Sequence, residues 1–481
     1  MTLMSPSQTL AGLSSDTLKQ LSNRLSESES HLKLRTSAFE SYQKQPLEKS
    51  VLYKKYTDML TGLKLDMISL GQPSGKATVP KEIEHLISDD SNQTVAVQVD
   101  SEMARVDAHG QLEREGLIFT DIKTALRDHQ DLLADYFGKI LSPEDDKFAA
   151  LNAALYTAGV FLFVPKGLKV NIPIRSLILV KTLGVGAFAH NIILAEENSK
   201  ITFLQEAYSN INDGHDEQQN AQSLLSEVTE AYVGEEAELN FASIQNLEEN
   251  VHYLVNRRSS SQKDSRINWT VGHIGGGITR SRMDSALDGP GANAEDVEVV
   301  FGGGAQMFDI VTDLSHNAPS TTASVLARGV LRDKSRLVFK GMIRIAKGAK
   351  NSRSYLAEHA MILSKNARAD AIPGLEIETN EVKATHSGSV AQIDEEQVFY
   401  LTSRALSDSE AKKLIIVGFL HPAVQRIPSR TVRAGIQYLI EEKWIGKRVQ
   451  LPPKLDLLPE LEEEPEDSKT TDLFEHHYKY R

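Results

Sequence analysis

The chain has 481 residues, a formal net charge of −13, 40% hydrophobic and 25% charged residues, and no cysteine. That length buries a sizeable core and leaves room for two or three domains, whereas the acidity excludes a general affinity for nucleic acid, which needs a basic footprint. The missing cysteine excludes disulfides, thiolate zinc sites, a cysteine nucleophile and an iron–sulfur cluster ligated by cysteines of this chain alone.

No apolar run approaches the roughly 18 residues of a membrane span. The opening MTLMSPSQTLAGLSSDTLKQL has neither the basic-then-apolar order of a secretory signal nor the early arginine of a transit peptide. A cytoplasmic location is therefore expected.

Residues 1–145 read as a mostly helical region. Ser14, Ser15 and Asp16 can cap a first helix whose Leu18, Leu21 and Leu25 share a face. The stretch TVAVQVD (94–100) alternates as a strand does. Residues 118–140, IFTDIKTALRDHQDLLADYFGKI, return to helical spacing and predict Ile122, Leu126, Leu132, Leu133 and Phe137 in the core.

Residues 146–400 change character. Short β-branched runs such as FLFVPKG, SLILVKTL and RLVFKGMIRIAKGAKN are separated by Gly, Asn, Asp and Ser. A loose repeat joins Ser199–Phe203 (SKITF), Ala237–Phe241 (AELNF), Ser265–Trp269 (SRINW) and Ser335–Phe339 (SRLVF). In each, a small residue and a polar one lead into alternating large apolar positions, as expected for a tight turn followed by a strand with one face inward. Many such strands fit a β-solenoid or an antiparallel sandwich, and the uneven spacing does not choose between them.

Residues 401–450 turn helical again. Ser407 and Glu410 have capping-box spacing before AKKLIIVGFL, and a second segment beyond Pro422 and Pro428 places Val432, Ile436, Leu439 and Ile440 on one face. Residues 451–481, rich in proline and acid, have the composition of a disordered tail.

No self-contained catalytic constellation is present. The sequence lacks G-x-x-x-x-G-K-[ST], G-x-S-x-G and H-E-x-x-H. Its glycine clusters, VGHIGGGIT and VFGGGAQM, do not have dinucleotide-binding spacing and read as turns between strands. Glu358–His359 is an adjacent pair expected at the surface, the run Asp394–Glu395–Glu396 reads as a solvated face, and the tail residues His476 and His477 as solvated side chains. Not being an enzyme on its own is the expectation that follows. A β-helix carbohydrate-active enzyme is the rival reading, opposed by the lack of an export signal and of a convincing carboxylate pair.

Three long segments in order carry a resemblance. DDKFAALNAALYTAGVFLFVPKGLKVNIPI (145–174), SHNAPSTTASVLARGVLRDKSRLVFKG (315–341) and PGLEIETNEVKATHSGSVAQIDEEQVFYLTSRALSDSEAKKLIIVGFL (373–420) resemble the SufB/SufD proteins, the scaffold subunits of SUF iron–sulfur cluster assembly. The likeness covers about residues 35–445, and RTSAFESYQKQPLEKSVLYKKYTDML is similar to the N-terminal region of the SufD branch. It implies a right-handed parallel β-helix (β-solenoid) core flanked by N-terminal and C-terminal helical regions. It also implies a SufB-like partner joined through the β-helix ends and a SufC-like ABC-type ATPase docked on residues 401–450. A transient iron–sulfur cluster would then be shared with the partner subunit, and ATP would enter only through the ATPase.

SufB-like subunits carry an essential cysteine where this chain reads SYLAEHAMIL (354–363), with Glu358 or a neighbour in its place. The chain therefore resembles the D-type partner. The histidine of the V-K-x-x-H motif, Val382–His386 here, is then the implied ligand to the nascent cluster. Imidazole is a suitable iron ligand, and mixed Cys/His ligation of clusters occurs. A packing role at the last strand is the plainer reading of the same histidine. Leu414, Phe419, Ile436 and Tyr438 are the implied partner-binding residues. Some SUF complexes bind reduced flavin, which no residue here supports. A homodimeric scaffold without a B-type partner is a further alternative.

Overall fold

A left-handed residue followed by a small one sets the corner of turn after turn. Asn198, Glu236, Asp264, Gly291, Ser320 and Asn351 have φ between 52° and 75°, and each is followed by a buried small residue: Ser199, Ala237, Ser265, Ala292, Thr321 and Ser352. The chain turns sharply and re-enters a strand at the next position, as at Lys200, Glu238 and Arg266. The corners stack directly: Thr321 and Ser352 hydroxyls lie 2.7 Å apart. Asp, Asn and Gly tolerate this backbone with least penalty, which is why they punctuate the apolar runs.

The structure, a computed structural model, describes residues 10–71, 75–87, 93–209, 221–446 and 451–453. Strands from Val160–Val164 to Lys383–Gln392 alternate between two ten-stranded sheets, so each coil of chain adds one strand to each sheet. All neighbours within this run pair in parallel, with partners from 26 positions apart (Tyr253 opposite Thr279) to 38 (Lys200 opposite Glu238). The result is a β-solenoid of about eight turns with helices at both ends. The sandwich alternative is excluded by the parallel register.

Between the sheets lies one continuous core. Phe203, Phe241 and Trp269 occupy one column, fully buried, with Phe241 4.7 Å from the Trp269 ring. They come from three of the four repeat copies. The fourth copy, Ser335–Phe339, lies in the other sheet, where Phe339 stacks opposite Ile310. The pattern therefore marks any strand entering the core rather than one sheet.

The first end of the solenoid is closed. Val95–Val99 pairs antiparallel with Glu102–Asp107, and Ile118–Asp121 pairs antiparallel with Val160–Val164. The stretch read as helical from 118 thus opens as a strand, because Phe119 pairs with Leu162, and only then forms the helices Ile122–Asp128 and Gln130–Leu133. Ser14 caps the helix Ser15–Leu25, which buries Leu18, Leu21 and Leu25.

Asp146 fastens this region to the solenoid. It caps the helix Lys147–Leu155 through the N–H groups of Phe148 and Ala149 and accepts from Arg280 at 2.6 Å and Arg282 at 3.4 Å. These guanidiniums hold its carboxyl at about 2 although burial opposes ionisation.

At the other end the C-terminal helices fold back along the solenoid. Ser407 and Glu410 form the capping box of Asp408–Val424, which runs through Pro422, and Arg430–Trp444 follows. Ile416, Leu420, Val432, Ile436 and Leu439 cover the outer face of one sheet at Ile244, Val299, Phe301 and Val330. Lys443 donates to the carbonyls of Ile274 and Phe301 and to Gln306 Oε1, pinning the last helix turn to both glycine corners. Among the described residues no helix is long and apolar enough to cross a membrane. The acidic tail from 454 lies outside the described residues.

Candidate functional site at the open end of the solenoid

The last coil has no successor. Among the described residues, Arg368–Ile377 pairs only with Arg336–Ile345, and Lys383–Gln392 only with Arg353–Ile362, so each ends its sheet with an unpaired edge. The coil is anchored from below: Asn351 N–H donates to Glu381 O, Lys383 N–H to Ser352 O, and Lys350 pairs with Glu381 at 2.8 Å. Above, it is open: Leu375, Ile377 and Val390 are 37%, 40% and 41% exposed. Open parallel edges with apolar side chains are templates for strand pairing, and repeat proteins ordinarily cap them or join them to another chain.

His386 stands at this end. Successive registers carry one inward column through Phe203, Phe241, Trp269, Asp296, Val325 and Leu356, all buried, to His386, which is exposed. The imidazole is thus a core position left uncovered because the solenoid stops there. Gly388 and Ser389 follow it; the Ser389 hydroxyl lies 2.7 Å from His359 Nδ1 on the outer face. Among the described residues, no group of three or more His, Asp or Glu side chains could hold a metal ion. With no cysteine either, the end offers one imidazole to a cluster rather than a complete set of ligands.

The other singled-out residues disperse. Glu358 is not a surface residue: it is 2% exposed, faces the core one coil below Gly388, and burial raises its carboxyl to about 8. Sequence reasoning missed it because its orientation depends on the register of its two sheet neighbours. His359 points to the opposite face, as adjacent residues in a strand must. Asp394 caps the helix Glu395–Thr402 by accepting from the N–H groups of Glu396 and Gln397. The glycine clusters are solenoid corners, where a Cβ on Gly275 would fall 2.1 Å from Leu247 N and one on Gly277 2.1 Å from Glu249 O. His476 and His477 lie outside the described residues.

Of the four residues implied to bind a partner, Leu414 is 54% exposed, while Phe419 and Tyr438 are half-buried against the solenoid sheet. Ile436 is fully buried, its side chain closing over Gly272. It therefore packs within this chain. The outward apolar residues nearby are Val417, Phe399 and Tyr400, the last two 75% and 57% exposed.

The last coil of the parallel solenoid leaves two unpaired edges and an exposed imidazole, a surface fit for another chain. Comparison with known families identifies the class. Residues 178–419 match the SUF system FeS cluster assembly SufBD core domain, and residues 7–176 match the SufBD protein N-terminal region. The chain belongs to the SufBD family of iron–sulfur cluster assembly proteins. It is 27% identical over 431 residues to iron–sulfur cluster assembly SufBD family proteins of Staphylococcus saprophyticus, Staphylococcus aureus and Staphylococcus haemolyticus, an overlap of 87% of this chain and 90% of each relative.

Proposed function

We propose that the chain is the D-type, non-catalytic scaffold subunit of an iron–sulfur cluster assembly complex and that it works in the cytoplasm. The observation carrying this reading is the open solenoid end, where His386 continues the core column past the last covered coil. A B-type partner stacked on that end would pair with the two free edges and bring cysteine and further ligands to the imidazole. The absence of cysteine supports the D-type assignment, because a cluster-building chain of the B type needs a thiolate of its own.

An ATPase of the SufC type would dock on the helices Glu395–Thr402 and Asp408–Val424. Their exposed Phe399, Tyr400, Leu414 and Val417 form the uncovered apolar surface of that region, flanked by the part-exposed Phe419 and Tyr438. ATP would act through that partner alone. The cluster is cargo: it is built at the shared end and released, and a single exchangeable imidazole suits release.

Co-expression with a B-type and a C-type subunit tests the reading. The expected result is a complex containing all three chains, with His386→Ala leaving assembly intact and lowering iron and sulfide content at least fivefold. Unchanged cluster content in the variant would refute the role of His386, and no co-purification would refute the subunit assignment.

A further inference from the structure

Glu358 has an unusual place among the carboxylates that face the core. Glu227 accepts from the Tyr253 hydroxyl at 2.6 Å and from Arg257 at 3.3 Å, Glu298 accepts from Thr312 at 2.5 Å, and Asp296 from Ser285 at 3.5 Å. Each of these has a side-chain donor, although Glu298 Oε2 and Asp296 Oδ1 lack a hydrogen bond, whereas Glu358 has the backbone N–H of Ile372, no side-chain donor among the described residues, and a buried Oε2 without a partner. A buried, unsatisfied carboxylate oxygen carries a large desolvation cost, so its environment is incomplete.

Among the described residues, the charged and titratable groups facing it supply no cation. Glu298 and Asp313, from two other strands, are acidic and disfavour its ionisation, and the Tyr53 phenol packed outside the sheet is neutral. The chain above it is bare. Directly opposite in the next strand is Gly388, where the nearest atoms to an added Cβ would be those of Ala371 and Pro373, at 3.4 Å. Beneath it Gly341 leaves room that a Cβ would take, 2.8 Å from Glu358 Oε1.

His386 lies diagonally above. It pairs with Leu356, two positions before Glu358, so both side chains leave their adjacent strands on the inner face. A strand spacing of about 4.8 Å and a two-residue rise of about 6.6 Å put their Cα atoms roughly 8 Å apart. An imidazole and a carboxylate on such positions can reach one ion between them, and this mixed nitrogen and oxygen pair suits a first-row divalent metal.

We propose that Glu358 is a second ligand, beside His386, for a divalent first-row cation, Fe²⁺ as cargo, at the open end of the solenoid. This rests on the reading of His386 as a cluster-site residue and deepens it. The chain would hold iron through one nitrogen and one oxygen, the ion displacing the Glu358 carboxyl proton to solvent, before the partner's ligands complete the site.

The probe is Co²⁺, titrated into the full-length chain and followed by its visible absorption. His476→Ala and His477→Ala are present throughout, to remove the tail imidazoles. The parent should bind one Co²⁺ saturably, Glu358→Gln should weaken binding tenfold or more, and His386→Ala should abolish the signal. Circular dichroism checks that the variants fold, and Glu358→Asp, which keeps the oxygen donor, should bind more tightly than Glu358→Gln. Equal affinity of the parent and Glu358→Gln, or no saturable binding by the parent, would overturn the proposal. In the three-chain complex, cluster loss with His386→Ala but not Glu358→Gln would overturn the role of Glu358 alone. Retention by both variants would also overturn the reading of His386.

Discussion

Replacing Asp146 by alanine should loosen the N-terminal region from the solenoid more than any other single substitution in that contact. The carboxylate is 5% exposed, caps the helix Lys147–Leu155, and neutralises Arg280, which is 1% exposed. Held at about 2 instead of its ordinary 3.8, it contributes about 2–3 kcal/mol at neutral pH. Removing it also strands a buried guanidinium over the Phe148 ring and uncaps the helix, so the loss should reach about 3–5 kcal/mol. Its contribution is present above the unfolded pKa and fades as pH falls through the folded value, so the wild type should lose this term between about pH 4 and pH 2. Native-state hydrogen exchange of residues 147–155 measures it locally. A change below about 1 kcal/mol at neutral pH, or the same loss of protection between pH 4 and pH 2 in variant and wild type, would refute the argument.

Trp269→Ala empties the last position of the aromatic column and should cost about 3–5 kcal/mol, read from the denaturation midpoint. Gly275→Ala should destabilise strongly, because its Cβ would lie 2.1 Å from Leu247 N, whereas Gly348→Ala, with open space around the position, should be neutral or slightly stabilising; their thermal midpoints should separate accordingly. Glu358→Gln should flatten stability against pH. The wild-type carboxyl, raised to about 8, keeps its proton in the folded state while the unfolded chain loses it near 4.5, so wild-type stability should fall as pH rises between those values and the variant's should not. Leu414→Asp should leave the thermal midpoint nearly unchanged and abolish ATPase co-purification, whereas Ile436→Asp should unfold the helix Arg430–Trp444.

Much of this architecture was legible in the residues. The turn-then-alternation pattern of Ser199–Phe203, Ala237–Phe241 and Ser265–Trp269 predicts core strands because it is the local requirement of a solenoid corner, and those three stack as one column. Capping at Ser14 and Ser407 was equally readable, since a cap depends on a few neighbouring residues. What failed were the features set by distant partners. Residues 118–121 have helical apolar spacing but form a strand, because an edge at Val160–Val164 is there to pair with them. Pro422 did not end its helix: Leu420, Ala423 and Val424 remain packed on the sheet, and one lost hydrogen bond near the C-terminus costs less than that burial. His386 could be singled out from its motif, but that it continues a buried column past the last coil depends on the register accumulated across seven strands. The same register hides Glu358, which sequence alone makes a surface neighbour of His359.

The central claim is that this chain contributes the His386 imidazole to a cluster assembled at its open end with a B-type partner. The most direct test labels histidine with nitrogen-15 in this chain only, loads the complex with cluster, and examines the reduced cluster by pulsed electron paramagnetic resonance. The account predicts a nitrogen-15 coupling that vanishes when His386→Ala is the sole change. A cluster without that coupling, or one whose coupling survives the substitution, would contradict it.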